Sequence, residues 1–146
     1  MTEKVYSKYA WVILVVLGLL ELQFGLTLIR SGPAAIDNAN LEIQGLAWKE
    51  ISAASNETIL IDYVARSWGM AEALAAITMI VIAALPFRKV ERWSWYFSWI
   101  FPAFYLMTVL RNLMVGATSV VMIDSVGAII FSVALLLPYR KFFPKV

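Results

Sequence analysis

The chain has 146 residues, 62% of them hydrophobic, and a mean hydropathy of +0.78, far above a soluble domain, in which about half the residues are apolar. Its net charge of only +2 gives no basis for nucleic-acid binding. With no Cys and no His, it excludes disulfides, thiolate nucleophiles, Cys- or His-ligated zinc, iron–sulfur clusters and His-ligated haem, and it lacks the usual general base near neutral pH.

Four apolar segments follow one another, over about 10–29, 64–87, 93–115 and 120–139. Each is about 20 residues or longer, enough to cross roughly 30 Å of hydrocarbon as a helix. Continuous apolar runs satisfy their backbone in lipid as helices. The expected fold is an all-α membrane protein: a single domain over 1–146 with four transmembrane helices in an up-down bundle.

The first segment, AWVILVVLGLLELQFGLTLI, follows Lys4 and Lys8, as the apolar core of a signal peptide would. Glu21 and Gln23 interrupt it, and no small-x-small site follows Gly25, so a retained helix is expected. Ser31-Gly32-Pro33 should end it. In the loop 31–63, Ile43, Leu46, Ala47, Ile51 and Ala54 recur at helical spacing, predicting a short helix with Trp48 at the interface. Asn56-Glu57-Thr58 matches a glycosylation sequon.

The second and fourth segments close on nearly identical letters, LPFRK (85–89) and LPYRK (137–141). Proline stops a helix, an aromatic suits the headgroup level, and Arg-Lys holds the end in the cytoplasm. Lys4 and Lys8, then Arg88, Lys89 and Arg92, then Arg140, Lys141 and Lys145 fall on one side of a four-span path. The loop after the first span is acidic instead, with Asp37, Glu42, Glu50, Glu57 and Asp62 against Lys49. The positive-inside rule therefore places a multi-pass protein in the cell membrane with both termini cytoplasmic.

The 52-residue offset between Pro86 and Pro138 also relates Glu72 to Asp124. A duplicated helical hairpin and a coincidence of two cytoplasmic helix ends both fit this pairing.

Glu21, Glu72, Arg111, Asn112 and Asp124 lie inside the spans. An ionised group at mid-bilayer costs roughly 3 kcal/mol or more, so such groups face protein or water. Glu21 shares a helical face with Gly18 and Gly25, Glu72 with Gly69 and Ala76, and Asp124 with Gly127 and Ala128. Small residues at this spacing let helices approach closely. One polar cluster is expected, with Arg111 pinned by Glu72 and Asp124 and helped by Asn112 and Thr108. It is either a structural network or a site for a proton, a cation or an amphipathic ligand. Asp62 and Arg66 should form an exposed ion pair four residues apart.

The third span opens with WSWYFSWIFPAFY (93–105). Its aromatics run deeper than an interfacial belt requires, so Trp95, Trp99, Phe104 and Tyr105 are candidate contacts for a lipid or a flat ring such as a quinone, against plain core packing.

GMAEALAAITMIVIAALPFRKVERWSWYF (69–97), with LGLLELQFGL (17–26), resembles the small four-helix membrane proteins of the DoxX-like group and related uncharacterised families. That resemblance implies a place in redox- or thiol-related membrane assemblies, and it carries over no functional residue. With no Cys, direct thiol chemistry is excluded.

Two functions of different class are expected. The first is a non-enzymatic accessory subunit, or a lipid- or quinone-binding component, packed against other membrane subunits or against copies of itself. The second is a small proton- or ion-coupled transporter using Glu21, Glu72, Asp124 and Arg111. A membrane enzyme on a lipophilic substrate comes third, because no catalytic motif and no metal site stand out.

The Cys-free chain makes its topology directly testable. In intact cells, an impermeant maleimide should label Ser52→Cys at once and Lys141→Cys only after permeabilisation; the reverse pattern would overturn the orientation.

Overall fold

The computed structural model describes residues 5–54 and 58–144. Asn56 of the sequon lies outside the described residues, as do Lys4, Glu57, Lys145 and the side chain of Lys8. The described chain is helical, with α1 at Val5–Ser31, α2 at Asp37–Gln44, α3 at Trp48–Ala54 and α4 at Thr58–Ile82. Then come α5 at Arg92–Ser98, α6 at Ile100–Val115, α7 at Thr118–Leu136 and the single turn α8 at Tyr139–Phe142. Four stretches are long and apolar enough to cross a membrane: Tyr9–Gln44, Thr58–Phe87, Arg92–Val115 and Thr118–Leu136.

Large apolar side chains face outward on every long helix, among them Leu20 on α1, Leu74 on α4, Leu110 on α6 and Ile123 on α7. Such a surface is unfavourable in water and suits a lipid solvent. The buried interior is small, built from Leu14, Met79, Phe87, Phe131, Leu135 and Phe142 with alanines between them.

Close packing is concentrated in α1 against α4 and α6 against α7, with α1 also touching α7 and with α4 and α6 barely meeting. Glycine sets the first of these contacts. A Cβ on Gly25 would lie 2.8 Å from the Ala73 nitrogen, and one on Gly69 would lie 2.8 Å from the Gly25 carbonyl oxygen. Backbone meets backbone there, so no side-chain rearrangement could make room. The Gly- and Ala-spaced faces read from the sequence are this crossing.

At one end of α1, Arg66 of α4 donates from Nη1 to the carbonyls of Ile29 and Arg30, at 2.7 and 2.8 Å. Its Nε bonds Asp62 at 2.7 Å. The expected ion pair is present, and it also aims a guanidinium at carbonyls that the helix end leaves unbonded. At the other end, the Arg88 guanidinium lies 5.0 Å from the Trp11 ring centroid, and Phe87 packs on Phe142 with centroids 4.8 Å apart.

Three expectations change. The helix foreseen from Ile43 to Ala54 is broken, because Gly45 takes φ +72° and donates its N–H to Leu41, closing α2. Asp37 then accepts from the Trp48 N–H at 2.8 Å, starting α3. Glu42 of α2 accepts from the Ser119 N–H through both oxygens, at 3.1 and 3.0 Å, and so caps α7. The third span is likewise two helices, parted at Trp99 one turn before Pro102, which has no N–H to offer the Ser98 carbonyl.

LPFRK and LPYRK also adopt different backbones. In the first, Pro86 sits inside a wide turn, 83–87, where Arg88 bonds back to Ala83 and Glu91 to Pro86. The chain then reverses through Val90 at φ +64°. In the second, Pro138 starts α8 and its carbonyl accepts from Lys141 at 2.8 Å.

Overpacking typically costs about 1–3 kcal/mol, and it has least room to relax against backbone. Gly25→Val should therefore lower stability by about 2 kcal/mol or more in thermal unfolding followed by circular dichroism. Leu19→Val, on the exposed face, should stay near wild type.

Candidate functional site

The glycine crossing decides where the carboxyls go. Glu21 lies one turn before Gly25 on α1, and Glu72 lies one turn after Gly69 on α4. Their carboxyl groups come within hydrogen-bonding reach of each other, and Asp124 of α7 stands close enough to act on both electrostatically. Among the described residues, no group of three such side chains converges as metal ligands do. Glu21 and Glu72 are both half-buried.

Asn112 of α6 is buried, 4% exposed, and donates from Nδ2 to Asp124 Oδ2 at 3.0 Å. Its Oδ1 accepts from Arg111 Nη2 at 3.2 Å. The Arg111 guanidinium also lies 5.6 Å from the centroid of the Trp68 ring, and Trp68 turns its indole N–H toward Glu72. All five polar residues expected from the sequence thus belong to one connected set. Their connection differs from the expectation, because among the described residues Arg111 forms no ion pair with Glu72 or Asp124. Asn112 follows Arg111 by one residue and so about 100° round the helix, and it takes the inward position while Arg111 stays exposed. Thr108 is not part of the set, since its hydroxyl bonds the carbonyl of Tyr105 on its own helix.

Where α4 and α6 part, they leave a cavity of about 270 Å³. Trp68, Ala71 and Ala75 of α4 form one wall, and Phe101, Phe104 and Tyr105 of α6 form the other. Glu21 and Glu72 lie at its inner side with Phe131 of α7. Ala71, Ala75, Ile100 and Phe104 are exposed, so the cavity opens sideways from the bundle. The walls are stiffened by ring contacts, Phe101 stacking on Phe131 at 6.0 Å and Tyr105 tilting on it at 5.4 Å. Gly127 makes the second contact feasible, since a Cβ there would lie 2.5 Å from a Tyr105 ring carbon.

Of the four aromatic candidates, Phe104 and Tyr105 line this cavity, and Trp95 and Trp99 do not. Trp95 donates its indole N–H to the Leu135 carbonyl at 2.9 Å and packs on Phe143 and Tyr139, with Trp99 beside it. Trp68, Phe101 and Phe131 were not singled out from the sequence. Trp68 stands four residues before Glu72, and Phe101 four before Tyr105, so helical spacing would have found both.

Comparison with protein-family models, curated proteins and solved structures gives no match. The roles of these residues therefore rest on their geometry.

Leaving a buried polar group unsatisfied costs about 1–3 kcal/mol. Asn112→Leu removes the donor to Asp124 and the acceptor for Arg111, and should lower stability by about that amount. Asn112→Gln should recover part of it, as measured by thermal unfolding in the same detergent.

Proposed function

We propose that this chain is a multi-pass membrane protein with an up-down bundle and both termini in the cytoplasm. In this reading it serves as a non-enzymatic component of a membrane assembly that holds a lipophilic ligand, a lipid or a quinone-like ring, between α4 and α6. One observation carries this: the aromatic-walled cavity of about 270 Å³ opens sideways, where a bilayer would deliver a ligand, and has carboxyls at its inner side. Apolar walls with a few fixed polar groups are what a small-molecule site needs. The outward-facing apolar residues on every long helix support membrane embedding. The bonding of Arg66 at one end of α1 and the stacking of Arg88 at the other support alternating helix directions.

A second reading, a proton- or ion-coupled carrier, is favoured by the grouping of Glu21, Glu72 and Asp124 from three helices. A single four-helix unit is narrow for alternating access, so this reading requires assembly of several copies.

Native mass spectrometry of protein released gently from membranes tests the first reading. The wild type should carry a lipophilic molecule of defined mass, and Ala75→Phe, which fills the cavity from its α4 wall, should emerge without it. Wild type that is consistently empty, or Ala75→Phe that is equally loaded, would overturn it.

A further inference from the structure

We infer that the cavity between α4 and α6 selects a lipophilic monocation, a quaternary or protonated amine with an apolar arm, held between the Glu21–Glu72 pair and the Trp68, Phe104 and Tyr105 rings. This rests on the lateral cavity being a ligand site, and it names the ligand's charge.

Three features point to a cation. First, two carboxyls within hydrogen-bonding reach repel as a pair of anions, and a positive charge beside them relieves that repulsion. Second, positive charge from the protein itself is committed elsewhere. Arg111 is bound to Asn112 and lies over the far wall of the site at Trp68, paired with none of the three acids. Third, Arg111 already displays the preference of that wall, since its guanidinium sits 5.6 Å from the Trp68 ring centroid, a cation over an aromatic face. Rings with a carboxylate behind them recognise quaternary ammonium groups in this way. A metal ion is the poorer fit, because the acids do not converge on one point and the remaining lining is apolar. An anionic lipid headgroup would meet like charge from Glu21 and Glu72.

The size agrees. About 270 Å³ accommodates an ammonium head and one aryl or short alkyl arm, and a longer tail would leave between Ala71, Ala75 and Phe104 into the bilayer. The groups facing that pair are Asp124 from α7, Trp68 from α4, and Arg111 of α6, held back by Asn112.

The test compares benzyltrimethylammonium with its neutral carbon isostere, neopentylbenzene, by calorimetry on the full chain in nanodiscs of zwitterionic lipid. The cation should bind at least tenfold more tightly than the isostere. Glu72→Gln and Glu21→Gln should each remove most of that advantage and leave the isostere unchanged. Equal binding of the two probes in wild type would overturn the inference even if neither variant folds. In that case expulsion of both probes by Ala75→Phe would leave the cavity itself intact as a ligand site. If neither probe binds, or if Ala75→Phe expels neither, the reading of the cavity fails as well.

Discussion

The contact of α1 with α4 through Gly25 and Gly69 is the constraint on which the rest of the structure depends. Lipid tails are as apolar as leucine, so helices in a bilayer gain nothing from hiding leucine from water, and close association must come from van der Waals packing and polar contacts. Two glycines supply the first by letting backbone approach backbone, with 2.8 Å to the nearest backbone atom had a Cβ been present on either. The crossing then dictates the polar contacts. Glu21 and Glu72, each one turn away from its glycine, are brought face to face, and Arg66 is brought level with the last carbonyls of α1. Helix proximity here creates the polar cluster, and the cluster in turn resists any sliding of one helix along the other.

The second helix pair is assembled differently. α6 and α7 meet through rings, with Phe101 and Tyr105 on Phe131 and with Gly127 recessed beneath Tyr105. Asn112 ties the polar end of this pair through Asp124. Because α1 packs on α4 and α6 on α7, while α4 and α6 scarcely touch, the bundle has an open seam between the last two. Phe101, Phe104 and Tyr105 of α6 and the carboxyl pair both border that seam.

Much of this could be read from the sequence. Apolar length marked the four helices long and apolar enough to cross a membrane, and the spacing of small residues around each acid indicated which faces would meet. Proximity between helices could not be read with the same detail. Arg111 looked like the natural partner of Glu72 and Asp124, yet the adjacent Asn112 holds the inward position, and one residue of helical rotation redirects the guanidinium to Trp68. LPFRK and LPYRK differ by one letter, yet their backbones diverge, the first through a wide turn and Val90 at φ +64°, the second into α8. Trp95 and Trp99 belong to the same aromatic run as Phe104 and Tyr105, but they lie nearer its start, where Trp95 meets Leu135, Tyr139 and Phe143 instead of the cavity. The partner of Trp95 is a carbonyl 40 residues away, which no local pattern encodes.

The central claim, that the glycine crossing brings the two glutamates together, has a direct measurement. Solid-state NMR with dipolar recoupling, on protein in lipid with its glutamate carboxyl carbons labelled with carbon-13, reports whether those of Glu21 and Glu72 are neighbours. The account predicts a cross-peak between them in the wild type that disappears in Gly69→Val while the helical signals persist. A wild type without the cross-peak, or a Gly69→Val protein that keeps it, would contradict the account.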